Sequence, residues 1–255
     1  SNDLISYAKK LFKLNYDNKL RSEITRLDTS GYIRVQKSCY VALLDCAKIG
    51  PSYIPGQGHA DTLSFEASIL KRKFITNLGI SAYQGKALRL KERGTESHST
   101  IVIDGKNSSD VWGEFRVGKR AKVFNKKISS EMEFYKIVGS HNGYKTQIQN
   151  LIHQREFHLY KKKFVITDEI LGHGNHNVQI LFHLHPDTKI KRHNEFEIIL
   201  CHHGLDIKFE STLLKYFLFR EYQYSPEFGL NIATNSLVLE NSFALPCKIK
   251  SSFAW

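Results

Sequence analysis

The stretch Gly50–Leu70, GPSYIPGQGHADTLSFEASIL, decides how this chain is read. Its first half is punctuated by Gly and Pro, as a tightly turning loop must be. From Thr62 the pattern changes: Leu63, Phe65, Ala67 and Ile69 alternate with Thr62, Ser64, Glu66 and Ser68. That period of two describes a strand with one buried face. His59 and Asp61 continue the parity of the Leu63 face, which puts two polar side chains where a strand meets a loop. Polar groups held at a rigid strand mouth are a common way to build a site. The plainer reading of His59 is a histidine hydrogen-bonded within its loop.

Working outward, the same signal recurs. Gly31–Leu44 reads as one or two strands, and short strand patterns follow at Lys73–Asn77, Thr100–Asp104, Arg120–Phe124, Glu133–Val138 and Glu156–Tyr160. Lys163–Leu171 places Phe164 and Ile166 on one face, interrupted by Asp168. His176–His185 alternates Val178, Ile180, Phe182 and Leu184 with its neighbours, and Phe196–Cys201, Leu205–Glu210 and Leu213–Glu221 continue the series. Turn residues such as Asp104-Gly105-Lys106-Asn107 separate them. Many short strands without intervening amphipathic helices predict an all-β, antiparallel sandwich or barrel rather than a parallel α/β sheet. Only Asp3–Leu14 reads as a helix, with Leu4, Ala8, Leu11 and Phe12 on one face. Asn15–Ser30 is polar and reads as a linker or peripheral loop.

A chain of 255 residues can bury a large core. It contains no apolar run of transmembrane length and no signal peptide at its start. The opening Ser1-Asn2, without Met, reads as a tag-cleavage scar, so a longer parent protein is expected. The net charge of +12 favours a polyanionic partner: nucleic acid, an acidic glycan or a membrane surface. A nucleic-acid module rests on charge alone here, because neither a recognition helix nor an RNP-type aromatic strand is present. Cys39, Cys46, Cys201 and Cys247 form no CxxC pair, which argues against a zinc ribbon and leaves the redox compartment open.

Histidine is the unusual ingredient. His98, like His59, stands just before a strand, and a late group comprises His173, His176, His183, His185, His202 and His203. A divalent ion such as Zn²⁺ takes about three or four N, O or S ligands from separate segments. His59 and His98 offer two, and Asn77 offers a poorer third. Arg89, Arg93 and Arg116 form a cluster suited to anions, since guanidinium forks grip carboxylate or sulfate. Surface ion pairs with Glu92, Glu96 and Glu114 explain the same residues equally well. Phosphate loops, HExxH and GxSxG are absent.

Several of these stretches together resemble the C-terminal domain of the heparinase II/III-like family. The match is carried by GPSYIPGQGHADTLSFEASI and by NLGISAYQGKALRLKERGTESHSTIVIDGKNSSDVWGEFRVGKRAKV. HNGY (His141–Tyr144), HQR (His153–Arg155), TDEILG (Thr167–Gly172) and FHLHP (Phe182–Pro186) extend it. The resemblance implies a supersandwich-like β-sandwich over residues 31–255. Residues 1–30 would be a linker and the helical remnant of an N-terminal α/α toroid that is otherwise missing. It implies a polysaccharide lyase that acts by β-elimination on an acidic, uronic-acid-containing polysaccharide, silent without the toroid and its Tyr. A non-catalytic glycan-binding or scaffold domain is the alternative. The family's metal ligands fall on His59, Asn77 and His98, with zinc the implied ion, and its catalytic histidine falls on Gln57. Gln57 can hydrogen-bond a carboxylate but cannot shuttle a proton, and Asn77 lacks the anionic oxygen of Asp. Tyr53, Arg89 and Arg93 are the substrate-binding candidates. The implied partners are an acidic polysaccharide and the toroid, with no nucleic acid and no membrane span. The implied setting is periplasmic or extracellular.

Overall fold

The structure, a computed structural model, describes residues 23–255 apart from 52, 147, 149, 195 and 196, together with residues 7, 10 and 11. Those last three are helical, and the rest of the helix expected over Asp3–Leu14 lies outside the described residues.

Two antiparallel sheets carry the fold. The first runs β1 (Ile24–Leu27), β2 (Tyr32–Lys37), β3 (Tyr40–Asp45), β4 (Phe65–Ile69), β5 (Arg72–Thr76), β13 (Asn175–Leu184), β18 (Ile232–Ala244) and β17 (Phe217–Tyr224). A short β6 (Ile101–Ile103) also pairs with β13. The second sheet runs β14 (Thr188–His193), β15 (Ile198–His202), β16 (Leu205–Ser211), β19 (Cys247–Ala254), β12 (Lys163–Leu171), β11 (Ile152–Leu159), β10 (Tyr135–His141) and β9 (Val123–Ser130). A small hairpin pairs β7 (Val111–Trp112) with β8 (Arg116–Val117).

The alternation that decided the reading holds. Leu63, Phe65, Ala67 and Ile69 are all buried in the core. Leu63, however, precedes the strand and takes φ 62°, so its side chain turns inward from a bend rather than from the pleat. The sheets meet through aromatic contacts. Phe65 packs on Phe157 with centroids 5.3 Å apart, and Phe182 on Phe253 at 5.2 Å. Tyr40 meets Phe164 edge-on at 4.7 Å. Truncating a fully buried ring such as Phe182 to Ala costs about 3–5 kcal/mol, from lost transfer energy plus a cavity.

β13 is buried on both faces. Val178, Ile180, Phe182 and Leu184 face the main core, while Leu181 joins Leu78, Val102, Tyr222 and Val238 in a second cluster on the other side. That second layer exists because the segment between β5 and β6 folds back over the sheet and covers it. Three expectations are corrected here. The linker expected over Asn15–Ser30 contains β1, which pairs with β2 from Ile24↔Val35 to Leu27↔Tyr32. The strand expected over Leu213–Glu221 begins only at Phe217. And a helix interrupts the strands: α1 (Lys86–Arg93), whose inward face is made of Arg89, Glu92 and Arg93. Polar residues at i, i+3 and i+4 share a helix face, but sequence patterning assigns such a face to solvent.

Candidate functional site

The β3–β4 connection, residues 46–64, is held in place by backbone and side-chain bonds to segments far away in sequence. The Ala60 amide donates to the Arg93 carbonyl at 2.9 Å, and the Ala60 carbonyl accepts from Thr95 Oγ1 at 2.7 Å. Ala60 itself is fully buried. Gly58 packs so closely that a Cβ there would stand 2.4 Å from Ile49 Cγ2. Only glycine therefore lets the chain pass between Gln57 and His59.

From the second sheet Arg155 reaches the same loop. It is wholly buried, and its Nη1 donates to the Leu63 carbonyl at 3.0 Å and to the Ser99 carbonyl at 2.8 Å. Its Nε and Nη2 grip Asp168 at 2.7 and 3.0 Å. A chain of histidines completes the network. His141 Nδ1 accepts from the Gly143 amide, which leaves its Nε2–H to donate to His153 Nδ1 at 3.1 Å. His153 Nε2–H then donates to Asp168 at 2.7 Å. Burial dominates both histidines and pushes their pKa values down, so they are neutral. Burial alone would raise Asp168, but the Arg155 charge and these bonds hold it at about 2. The residue that interrupts the β12 pattern is thus the anchor of a clamp on the two segments ending at Leu63 and Ser99.

Those segments bring the site together. His59 Nδ1 lies 3.1 Å from His98 Nε2, and Asp61 offers a carboxylate oxygen within 4.8 Å of both. His98 Nδ1 donates to the Gly94 carbonyl at 2.8 Å, so its Nε2 carries the free lone pair, turned toward His59. Burial, then the proximity of His98, Arg89 and Arg93, lowers His59 to about 2. Burial lowers His98 to about 4. Both imidazoles are therefore uncharged at neutral pH. Burial and the neighbouring Asp45 carboxyl raise Asp61 well above the ordinary carboxylate range. Asp45 itself is raised to about 6 by burial, partly offset by the Ala47 amide bonded to its Oδ1 at 2.7 Å.

The third ligand expected from the sequence, Asn77, is engaged by the backbone beside the histidines. Its Oδ1 accepts from the Ser99 amide at 2.9 Å, and the group that joins the histidines is the carboxyl of Asp61. The donor set fits zinc. Two nitrogens bound at about 2.05 Å to a tetrahedral zinc stand about 3.3 Å apart, close to the 3.1 Å found between the imidazoles, and a carboxyl oxygen is a donor type that zinc takes.

The remaining candidates separate. Gln57 is exposed, and its Oε1 accepts from Arg89 Nη2 at 2.9 Å, so its amide N–H groups point away from Arg89. Tyr53 is 86% exposed. Both line a cleft of about 890 Å³ together with Tyr32, Asp45, His59 and Asp61. Arg93 does not line this cleft. It is wholly buried, and its three nitrogens donate to the carbonyls of Gly58, Glu114 and Arg116 at 3.0, 2.7 and 3.3 Å. Nor do the arginines pair with the nearby glutamates: Glu92 accepts from Ser81, and Glu96 binds Arg220 and Tyr222.

The family profile described as heparinase II/III-like, C-terminal, matches residues 20–250. The chain belongs to the heparinase II/III-like family. No curated protein matches it in sequence. Among solved structures it is similar to the heparan sulfate lyase HepC of Pedobacter heparinus, with a TM-score of 0.76 at 18% identity, over 99% of this chain and 41% of that one. A heparinase III gene product superimposes with a TM-score of 0.78 at 14% identity over the same shares. Another heparinase III gives 0.69 at 16%, over 91% of this chain and 36% of its own. At these identities the likeness is one of fold. The chain spans about two fifths of the length of these relatives, which carry further chain beyond it. Among the described residues, no helix is long and apolar enough to cross a membrane.

Sequence reasoning singled out His59 and His98, which the fold brings to 3.1 Å of each other. It missed Asp61 as a partner of the histidines, although the His59–Asp61 spacing was visible. It missed Asp45, whose only signal is that it ends an apolar strand.

Proposed function

We propose that this chain is the sandwich part of a polysaccharide lyase that cleaves an acidic, uronic-acid-containing glycan by β-elimination. The observation that supports this most is the convergence of His59, Asp61 and His98 beside Gln57, at a wide cleft, in a member of this family. β-Elimination begins when the C5 carboxylate of the sugar is neutralised, which acidifies the C5 proton. Gln57 is oriented for that task. Because Arg89 occupies its Oε1, the amide offers N–H donors to a carboxylate in the cleft. Arg89 adds positive potential behind it. His59, His98 and Asp61 would hold zinc, whose charge supports the loop and adds to the same potential. The proton-transferring groups are assigned to the N-terminal toroid domain, so the 255-residue chain alone is expected to be silent. An acidic glycan substrate accords with a periplasmic or extracellular setting.

The test is turnover by the protein at its natural length on heparan sulfate, hyaluronan and alginate, read at the ultraviolet absorbance of the unsaturated product. Turnover of one polymer supports the reading. Gln57 also favours a second reading, since it cannot carry a proton where the family has histidine: a glycan-binding domain without catalysis. Tight binding of the same polymers with no absorbance change would select that reading.

A further inference from the structure

Three aromatic rings stand exposed next to the candidate site, and a buried arginine lies among them. Tyr83 is 46% exposed, Phe115 43% and Phe228 64%. Tyr83 contacts Phe228 with centroids 5.3 Å apart and Phe115 at 6.3 Å. The rings are not stray surface residues, because the backbone beneath them is fixed. The Phe228 loop is tied down by Gly229 N–H to the Ser81 carbonyl at 2.8 Å and Ser225 N–H to the Leu78 carbonyl at 2.7 Å. Ser81 in turn donates its N–H to the Glu92 carboxylate of α1 at 2.9 Å.

Arg89 projects from that same helix, and its guanidinium sits 5.1 Å from the Tyr83 ring centre and 5.6 Å from that of Phe115. It is wholly buried, yet among the described residues its Nε and Nη1 meet no acceptor. The other two fully buried arginines, Arg93 and Arg155, donate to three carbonyls and to a carboxylate with two carbonyls respectively. An unmet charged donor is costly to bury, and each such group in a folded protein calls for an explanation such as a bound water, an ion or a functional role. Two partly exposed surface rings, Tyr83 and Phe115, stand next to this guanidinium. Aromatic faces stack on the C–H faces of sugars, and a guanidinium fork matches carboxylate or sulfate. The patch is also continuous with the cleft. Gln57, which lines the cleft, is bonded to Arg89, and a Cβ at Gly56 would stand 3.2 Å from the Phe115 carbonyl.

We infer that Tyr83, Phe115 and Phe228, with Arg89 among them, form a subsite for a second acidic sugar of the bound glycan, next to the sugar held at Gln57 and His59. This rests on the reading of the protein as one that binds acidic glycans. The sugar ring stacks on Tyr83 and Phe228, and its carboxylate or sulfate reaches Arg89 between the Tyr83 and Phe115 rings.

The experiment is calorimetric binding of a heparan sulfate hexasaccharide and of cellohexaose, a neutral comparator, to the protein at its natural length. Phe228→Ala and Tyr83→Ala, both at exposed positions, are expected to weaken heparan sulfate binding about tenfold each. Arg89→Gln is expected to bring the charged ligand down to the level of the neutral one. If the wild type binds heparan sulfate and both ring variants stay within twofold of it, the subsite is overturned while the functional reading stands. If the wild type binds no acidic glycan, both fall. If Phe228 and Tyr83 are protected from oxidative labelling at natural length without sugar, the patch is a contact with another part of the polypeptide, and the inference is overturned.

Discussion

Replacing Arg155 by Met is expected to be among the most damaging single changes in this chain, and its pH dependence identifies the reason. Arg155 and Asp168 are both buried, and the guanidinium also serves the Leu63 and Ser99 carbonyls. Removing one partner of a buried ion pair costs about 3–5 kcal/mol because the other charge is left unpaired. Orphaning two carbonyls adds to that, for roughly 4–6 kcal/mol in all, since neighbouring losses do not simply add. For a domain of this size the melting temperature falls by about 2–4 °C per kcal/mol. Calorimetry should therefore show a drop of roughly 10–20 °C at pH 7. In the wild type the Asp168 carboxyl is held at about 2, below its unfolded value. Its stabilisation is thus present above the unfolded pKa and lost only as pH falls through 2. In Arg155→Met, burial without the guanidinium charge raises the same carboxyl, which keeps only its bond from His153, so its contribution is present at acid pH and lost as pH rises. The deficit should be largest at neutral pH and narrow toward pH 4. Adding Asp168→Asn should restore about 2 kcal/mol at pH 7. A deficit under about 1 kcal/mol, or one independent of pH, would refute the clamp.

Zinc titration should separate the ligand candidates: His59→Ala and Asp61→Asn are expected to lose binding, and Asn77→Asp to change it little, since Asn77 Oδ1 serves the Ser99 amide. Asp45→Asn keeps an oxygen for the Ala47 amide and removes one of two adjacent buried carboxyls. Because the Asp45 pKa is raised to about 6, wild-type stability from this group is lost as pH rises through 6. The variant should accordingly be more stable than the wild type at pH 8 by roughly 1–3 kcal/mol in urea unfolding, and no more stable at pH 4. The β4–β5 hairpin turns at Leu70 and Lys71, both at positive φ (49° and 67°). Replacing the pair by Asn-Gly should stabilise the protein by about 1 kcal/mol, measured the same way, because that dipeptide suits a turn with two left-handed residues.

What the chain carried in its own pattern was the sheet. The alternation at Phe65–Ile69 and the run Lys163–Leu171 are local: each depends only on which face of a pleat meets the core, and every second residue reports it. The turn at Asp104-Gly105 was legible for the same reason, since left-handed backbone favours those residues. The tertiary structure alone decided which polar groups are buried and what they touch. Arg89, Glu92 and Arg93 look like a solvated helix face because burial of such groups normally costs too much. Distant carbonyls remove that cost for Arg93, the Ser81 amide and hydroxyl offset part of it for Glu92, and no periodicity records those partners. The choice of Asp61 over Asn77 beside the two histidines has the same origin. Both are short polar residues near strand ends, and their surroundings differ only in the fold: the Ser99 amide takes the oxygen of Asn77, while Asp61 lies beside the Asp45 carboxyl and the two histidines.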